Sequence, residues 1–295
     1  MDERLSPAWK VSLHGGHSGE FCDHARGTLR ETIEAAVAFG YHTYGVAEHV
    51  ARTEARFLYP EEIKLGWDIE KVQRDFERYA RTVRQLAREY DGRITILCGF
   101  EADCIPAHDY VRLMSRYRGE FQFDYVVASA HYVDEVLIDG HQGGFDRALE
   151  MQGGLEPLCV RYYETVAEMA TALTPEVFGH VDVIRKLAPG PCDTPAIRRA
   201  AGTALETIRE HQCILDVNTG GYRKGHGMPY PAPWLTVLAR DMGIPFCFGD
   251  DSHGPDQVGA DLDHSREYLL AHGVETITTL AKTKSGLARE IIPLQ

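Results

Sequence analysis

Histidines and carboxylates follow short apolar runs at repeated places in this sequence. The run 246–249, for example, is followed by Asp251 and His253. Such residues offer imidazole and carboxylate donors without thiolate, a set that suits zinc, iron or manganese held for hydrolysis. The candidates are more numerous than one ion requires, so two or three ions with shared ligands are expected. They are His14, His17, His24, His49, His131, His180 and His253, with Glu48, Glu101 and Asp251.

The apolar runs before these residues predict buried strands, and amphipathic segments between the runs predict helices. This alternation indicates a parallel sheet with crossover helices. An open doubly wound sheet would gather ligands near one switch point. Polar groups at the ends of nearly all of seven strands instead favour a closed or nearly closed α/β barrel.

Local signals predict where several helices begin and end. Thr28 and Glu31 have the spacing of a capping box, and Gly40 is a stop signal. The segment 68–90 has apolar residues at helical spacing. The segment 134–154 is expected to be a glycine-containing loop that acts as a flap. A last helix and a short tail are expected after the 246–249 strand.

Composition sets limits on the class of protein. The chain has 295 residues and is expected to be a single domain over 1–295. Its formal net charge of −13 disfavours nucleic acid as a partner. Seven cysteines without a Cys-x-x-Cys pair predict a reducing, cytoplasmic location. The first seven residues resemble no signal peptide and no apolar stretch is long enough for a membrane span, so no membrane partner is expected.

Several of these motifs, in order and spacing, resemble those of the polymerase-and-histidinol-phosphatase (PHP) superfamily. The resemblance covers about residues 11–260, nearly the whole chain. Its histidinol-phosphatase branch is indicated by the segments 179–186, 216–224 and 229–231. The superfamily motifs themselves are Glu48-His49, Gly99-Phe100-Glu101, Ser129-Ala130-His131, Gly179-His180-Val181-Asp182 and Asp251-x-His253.

The resemblance implies a distorted (β/α)7 TIM-like barrel and a metal-dependent phosphoric monoester hydrolase. The reaction would convert L-histidinol phosphate to L-histidinol and phosphate in histidine biosynthesis. Two to three divalent ions (Zn, Fe or Mn) would be the cofactors, and the partner would be a small phosphate monoester. The implied metal ligands are His14, His17, His24, His49, Glu101, His131, His180, Asp251 and His253.

One motif departs from the family pattern. The family usually opens with Asp-x-His-x-His, whereas this chain has Ser12 followed by His14, Gly15, Gly16 and His17. Histidines three apart on a strand point to different sides, so His17 joins the site only if the glycines form a β-bulge. Replacement of the aspartate by Ser12 also removes a carboxylate that could support the first metal.

The mechanism implied is attack of a metal-bridging hydroxide on the phosphoryl group, since clustered ions both generate hydroxide and neutralise phosphoryl charge. Asp251 or His253 is expected to deliver a proton to the leaving alkoxide. Arg223, Lys224, Arg185 and Lys186 lie beyond strand ends and are candidates for binding the phosphate, with Arg223 also assigned to catalysis. Arg52 is a further candidate cation. Glu20, Tyr132 and Tyr222 are candidates for meeting the imidazole and ammonium of the substrate.

Three alternatives stay open at this stage. The enzyme could act on another small phosphate ester or a nucleotide. The chain could instead be a catalytically silent module that binds metal for structure or docking. Cys22, between two candidate ligands, could be a thiolate ligand or an ordinary loop cysteine.

Overall fold

The computed structural model describes residues 6–284 and 286–295. Residues 1–5, which begin the N-terminal stretch considered above, lie outside the described residues. The described strands are β1 (Val11–Gly15), β2 (Thr43–His49), β3 (Thr95–Ala102), β4 (Tyr125–Ala128), β5 (Tyr132–Val133), β6 (Val136–Leu137), β7 (Val177–Phe178), β8 (Ile214–Asn218), β9 (Phe246–Gly249), β10 (Thr276–Thr283) and β11 (Gly286–Pro293).

Seven parallel strands close into a barrel in the order β1-β2-β3-β4-β7-β8-β9. The closure is made where His14 of β1 pairs with Gly249 of β9. Because each strand is followed by a crossover, all seven carboxyl ends meet at one end of the barrel. The predicted seven-stranded α/β barrel is confirmed.

Helices surround the barrel, and those of nine residues or more pack apolar side chains into the core around the strands. They are α1 (Leu29–Phe39), α2 (Pro60–Lys64), α3 (Ile69–Glu89), α4 (Tyr110–Glu120), α5 (Gln142–Gln152), α6 (Leu155–Leu173), α7 (Pro195–Glu210), α8 (Gly220–Arg223), α9 (Pro233–Asp241) and α10 (Leu262–Ala271).

The predicted ends of α1 and α3 are confirmed. Thr28 and Glu31 form a reciprocal capping box at the start of α1, and Gly40 ends the helix with φ of 90°. Asp68 caps α3 by accepting a hydrogen bond from Lys71 N at 2.8 Å. Thr28 and Asp68 thus fix where the two helices begin, and Gly40 fixes where α1 ends.

Two expectations about the chain between these elements are wrong. Residues 134–154 are not one long loop, because β6 and α5 occupy much of the segment and the His141 ring caps α5. This helix has four apolar residues among its eleven and two glycines in its first turn, so its helical pattern in the sequence is weak. The chain also does not finish in a short tail, since β10 and β11 form an antiparallel hairpin.

This hairpin covers the barrel end at which the strands begin. Leu280 of β10 packs in the cluster inside the barrel with Leu13 and Leu97. Lys282 Nζ lies 2.9 Å from Asp124 Oδ2, directly before β4. The opposite end therefore stays available for a polar site. Across the described ranges no helix has the length and apolarity needed to cross a membrane.

Candidate metal centre

Glu101, at the end of β3, lies at the centre of a ring of histidines. Its carboxylate oxygens lie 2.8 Å from His49 Nδ1, 3.2 Å from His180 Nε2, 3.3 Å from His14 Nε2 and 3.4 Å from His131 Nε2. Only 2% of the Glu101 side chain is exposed. The ends of four strands or of the loops that follow them are thus brought together around one buried carboxylate.

A β-bulge brings His17 into the same site. The pairing of β1 with β2 shifts register between Ser12 and Gly15, and Gly16 adopts φ of +37°. His17 is fully buried, and its Nε2 lies 3.3 Å from Asp251 Oδ1. The bulge anticipated for the two glycines is present, so the three-residue spacing does not turn the second histidine away.

His253 and His24 form the outer part of this cluster. The ring of His253 lies 4.4 Å from that of His17 and 4.9 Å from that of His24, centroid to centroid. The His24 side chain is 42% exposed and lies 3.1 Å from Asp23 Oδ1. His24 is therefore at the rim of the site, whereas His253 and His17 lie inside it.

Two carboxylates that sequence reasoning did not assign hold histidine rings in place. Asp216 Oδ2 lies 2.8 Å from His14 Nδ1, and Asp103 Oδ2 lies 3.0 Å from His131 Nδ1. Each carboxylate accepts the Nδ1 proton, which leaves Nε2 as the electron-pair donor. Carboxylate support for His14 comes from β8 rather than from position 12. The spacing Glu101-x-Asp103 was the available signal for the second carboxylate, since alternate strand residues share a face.

Electrostatic coupling within the cluster is strong. Burial lowers the pKa of His17, but hydrogen bonds with Asp251 and Glu48 outweigh burial and raise that pKa to about 9. Burial likewise opposes protonation of His131, yet the Glu101 charge raises its pKa to about 10. Burial opposes ionisation of Glu101, but the surrounding histidines hold its pKa well below the usual range. Without a bound cation, protonated histidines supply the positive charge that balances the carboxylates of the cluster.

Several buried side-chain nitrogen and oxygen atoms of the cluster have no hydrogen-bond partner among the described residues. They include His14 Nε2, His17 Nε2 and Glu101 Oε2. Buried polar atoms are normally satisfied, so atoms left open and directed toward one another indicate a site for a ligand. Imidazole nitrogens and carboxylate oxygens in this arrangement fit divalent cations of the zinc, iron and manganese type.

The potential ligand atoms form overlapping groups, each with its atoms within 4.8 Å of one another. More than one group exists, so the cluster has room for more than one ion. The groups are His14, His17 and Glu101; His14, His180 and Asp251; His49, Glu101 and His131; His17, Cys22, His49 and His253; and Cys22, Asp23 and His24. Burial raises the pKa of the Cys22 thiol, which favours its neutral form in the absence of metal.

A cavity of about 510 Å³ opens onto the cluster, and part of its wall is formed by cationic side chains. Lys186, Arg223 and Lys224 contribute to this wall. Burial and the nearby charge of Lys186 lower the pKa of Lys224. Two ammonium groups that line one cavity favour the binding of an anion there.

The structure does not bring Arg185 to this cavity. Its Nε lies 3.0 Å from Asp182 Oδ2, and its Nη2 donates to the carbonyl oxygen of Pro229 at 2.6 Å. The short 3₁₀ turn at 183–186 directs Arg185 and Lys186 to different sides. Of the two neighbouring candidates for binding phosphate, Lys186 lines the cavity and Arg185 does not, so the later proposal rests on Lys186.

Arg223 lines the cavity but is also tied to the chain behind Asp251. Its Nη2 donates to the carbonyl oxygens of Asp250 at 2.6 Å and Asp251 at 2.8 Å, and its Nη1 donates to Thr219 Oγ1 at 3.0 Å. These bonds stabilise the left-handed backbone of Asp251, whose φ is +44°. Arg223 thus helps to aim the Asp251 carboxylate.

The candidates for contacting the rest of a substrate lie elsewhere. Glu20 accepts a hydrogen bond from Leu29 N at the start of α1, and Tyr132 packs its ring against Phe57. Tyr222 packs near His264 on the surface. Arg52 pairs with Glu62 at 2.8 Å, and its guanidinium stacks over the ring of Tyr59, which does line the cavity.

Comparison with known proteins identifies the family of this barrel. The model of the PHP domain matches residues 14–220. A Schizosaccharomyces pombe protein named "Probable histidinol-phosphatase" is 31% identical over 94% of this chain and 91% of its own length. The Saccharomyces cerevisiae histidinol-phosphatase is 27% identical over 87% of both chains.

A solved structure has the same fold. The histidinol phosphate phosphatase of Lactococcus lactis, solved with zinc, L-histidinol and phosphate, superposes with a TM-score of 0.66. It is 19% identical, and the match covers 92% of this chain and 96% of that one. With a family model that spans most of the chain and relatives that align along nearly all of it, this protein belongs to the PHP domain family.

Proposed function

We propose that this protein is a divalent-metal-dependent phosphatase that hydrolyses L-histidinol phosphate to L-histidinol and phosphate. The observation that carries the chemistry is the ring of histidines around Glu101, beside a cavity wall with Lys186 and Lys224. The substrate is supported by curated relatives with this activity that align over nearly their whole length. Such a reaction belongs to histidine biosynthesis, and a cytoplasmic location is proposed with it.

The metal ligands that we propose are those implied by the family motifs. Two to three ions (zinc, iron or manganese) would be held by His14, His17, His24, His49, Glu101, His131, His180, Asp251 and His253. The overlapping ligand groups and the open buried nitrogen and oxygen atoms support this set. When bound, such ions activate water and neutralise charge on phosphoryl oxygens.

The chain's own residues bind and orient the ester. Lys186 and Lys224 offer ammonium donors to the nonbridging phosphoryl oxygens, and the Arg223 guanidinium extends the same positive wall. Asp216 and Asp103 fix the ring orientation of His14 and His131, so no reorganisation of these rings is needed during the reaction.

A proton must reach the alcohol oxygen when the ester bond breaks. Asp251 and His253 are the residues that we propose for this step, since both line the cavity beside the ring of histidines. His253 Nδ1 lies 3.0 Å from the carbonyl oxygen of Asp251, so Nε2 is the ring atom that remains either to bind a cation or, in a state where it is not ligated, to carry the proton.

We also propose that residues 1–295 form a single phosphoesterase domain. The closed barrel, its helices and two small hairpins account for the described elements from 11 to 293. Strands from the first and last parts of this range share one sheet or one packed core, as Leu13 and Leu280 do.

The substrate is tested by measuring phosphate release from L-histidinol phosphate, a nucleoside monophosphate and an aryl phosphate by protein of known metal content. We expect strong preference for L-histidinol phosphate. Activity on the other esters alone would reject the substrate and retain the phosphatase. Loss of all phosphatase activity in fully metal-loaded protein would favour a silent metal-binding module.

A further inference from the structure

Lys186 and Asp139 form an ion pair inside the cavity that opens onto the metal centre. Lys186 Nζ lies 3.2 Å from Asp139 Oδ2, and the two side chains are 19% and 15% exposed. Both residues line the cavity. A ligand that enters therefore meets a cation and a carboxylate side by side.

Asp139 is the cavity carboxylate best able to receive a positive group from a ligand. Two other acidic residues line the cavity outside the proposed ligand set. Asp23 is held by His24, and its side chain is 2% exposed. Glu61 is 58% exposed and directed to Lys64 at 3.4 Å. Asp139, in contrast, has as its partner a lysine that is itself positioned to bind phosphate.

We propose that Asp139 binds the ammonium group of the substrate through an exchange of ionic partners. In the exchange, the Lys186–Asp139 ion pair separates, the substrate phosphate pairs with Lys186, and the substrate ammonium pairs with Asp139. This inference rests on the proposed function and adds a specificity residue to it. In L-histidinol phosphate the ammonium is on the carbon next to the one that bears the ester, so its two charges are neighbours as Lys186 and Asp139 are.

The exchange leaves no buried charge without a partner. Breaking a buried ion pair by removing one member is costly, because the other charge stays uncompensated. A β-aminoalkyl phosphate replaces both members at once. A phosphate ester without the amine takes Lys186 but leaves the Asp139 carboxylate next to the phosphate, which repels it. Asp139 therefore selects against nucleotides and simple alkyl phosphates as well as for the amine.

The test combines a change in the protein with a change in the substrate. We would measure kcat/KM for L-histidinol phosphate and for its N-acetyl derivative, in the wild-type holoenzyme and in Asp139→Asn. N-acetylation should lower the wild-type value about 10- to 100-fold, and Asp139→Asn should lower the value for the parent substrate by a similar factor. The two losses should not add, because they remove the same interaction.

Asp146→Asn is the matched control. Asp146 lies in α5 near the same segment, is exposed, and accepts a hydrogen bond from Gln142. This variant makes the same chemical change outside the cavity and should keep both kcat/KM values. The proposal would be overturned if N-acetylation lowered kcat/KM by the same factor in Asp139→Asn as in the wild type. It would also be overturned if N-acetylation had no effect on the wild type.

Two further measurements apply if the Asp139→Asn variant does not fold or if L-histidinol phosphate is not the substrate. If Asp139→Asn does not fold, the inhibition constants of L-histidinol and N-acetylhistidinol are compared in the wild type. Tighter inhibition by L-histidinol supports the proposal, and equal inhibition overturns it. If the wild type does not hydrolyse L-histidinol phosphate, the proposed function fails. Phosphoethanolamine and ethyl phosphate are then compared in both proteins. A preference for the amine that is lost in Asp139→Asn supports the subsite, and its absence from the wild type overturns it.

Discussion

Asp216 on β8 accepts a hydrogen bond at 2.8 Å from His14 Nδ1 on β1, and both side chains are fully buried. This carboxylate determines which ring nitrogen of His14 faces the metal centre. Its other oxygen accepts a hydrogen bond from the backbone nitrogen of His180 at 2.5 Å. One buried carboxylate on β8 thus orders two proposed ligands that come from different strands.

We predict that Asp216→Asn lowers metal affinity about 10- to 100-fold. The amide can no longer accept the Nδ1 proton with a full negative charge, so the His14 ring is less basic and less well oriented. Metal content after dialysis against a graded chelator series measures the effect. Asp241→Asn, at an exposed site beside Arg240, is the matched control. Equal metal retention in the two variants would show that Asp216 does not support the centre.

The bulge in β1 is expected to depend on the absence of side chains at its glycines. A Cβ atom at Gly15 would lie 2.5 Å from the Tyr44 ring and 2.9 Å from the Gly45 carbonyl oxygen. We predict that Gly15→Ala lowers the free energy of unfolding by about 1–3 kcal/mol, as overpacking does. Chemical denaturation of the metal-free protein measures the loss.

Gly119→Ala is the control for this substitution. No atom lies within 4 Å of a Cβ at Gly119, which is in α4. Alanine in a helix should raise stability by about 0.5–1 kcal/mol. A Gly15→Ala protein as stable as the wild type would mean that β1 can rearrange around the added methyl group.

Lys186 and Arg185 are adjacent, yet their substitutions should have different effects. We predict that Lys186→Ala raises KM for the phosphate ester and the inhibition constant of inorganic phosphate, each about tenfold or more. Arg185→Ala should instead lower the free energy of unfolding by about 3 kcal/mol, because it leaves Asp182 buried and unpaired. Steady-state kinetics and chemical denaturation of both variants separate the effect on phosphate binding from the effect on stability. The reverse pattern would mean that Arg185, and not Lys186, contacts the phosphate.

Metal binding should release protons near neutral pH. In the metal-free protein, acidic neighbours outweigh burial and raise the pKa of His17 to about 9 and that of His131 to about 10. Both rings therefore carry a proton at about pH 8, and ligation requires them neutral. Apparent metal affinity should rise with pH up to those values. Calorimetric titration in buffers with different ionisation enthalpies measures the released protons, and heats independent of buffer would contradict the prediction.

Much of the barrel could be predicted from the sequence, because each buried strand is a short apolar run that ends in a residue costly to bury. His14, Glu101 and His180 all carry this signal. The hairpin of β10 and β11 carries less of it, since its second strand is mostly exposed and its pattern has no strong apolar face. Strands are therefore easiest to predict from the sequence where both of their faces are buried in the core.

The finer parts of the site depend on three-dimensional placement. Asp216 and Asp139 are single carboxylates with no distinctive spacing, and only the closed barrel brings them to His14 and Lys186. The different directions of Arg185 and Lys186 follow from one 3₁₀ turn, which composition does not reveal. The spacing of His14 and His17 does not determine the direction of His17, which depends on the bulge in β1.

Hydrolysis at this centre is tested most directly by kcat/KM for L-histidinol phosphate in wild type and His131→Ala, with metal content measured in the same samples. His131 Nε2 lies 3.4 Å from Glu101 Oε1, and its Nδ1 lies 3.0 Å from Asp103, so the ring connects the proposed centre to the carboxylate that orients it. We predict rapid phosphate release by the metal-loaded wild type and a loss of at least about a hundredfold, together with reduced metal content, in His131→Ala. Equal activity in the two proteins would contradict hydrolysis at this centre.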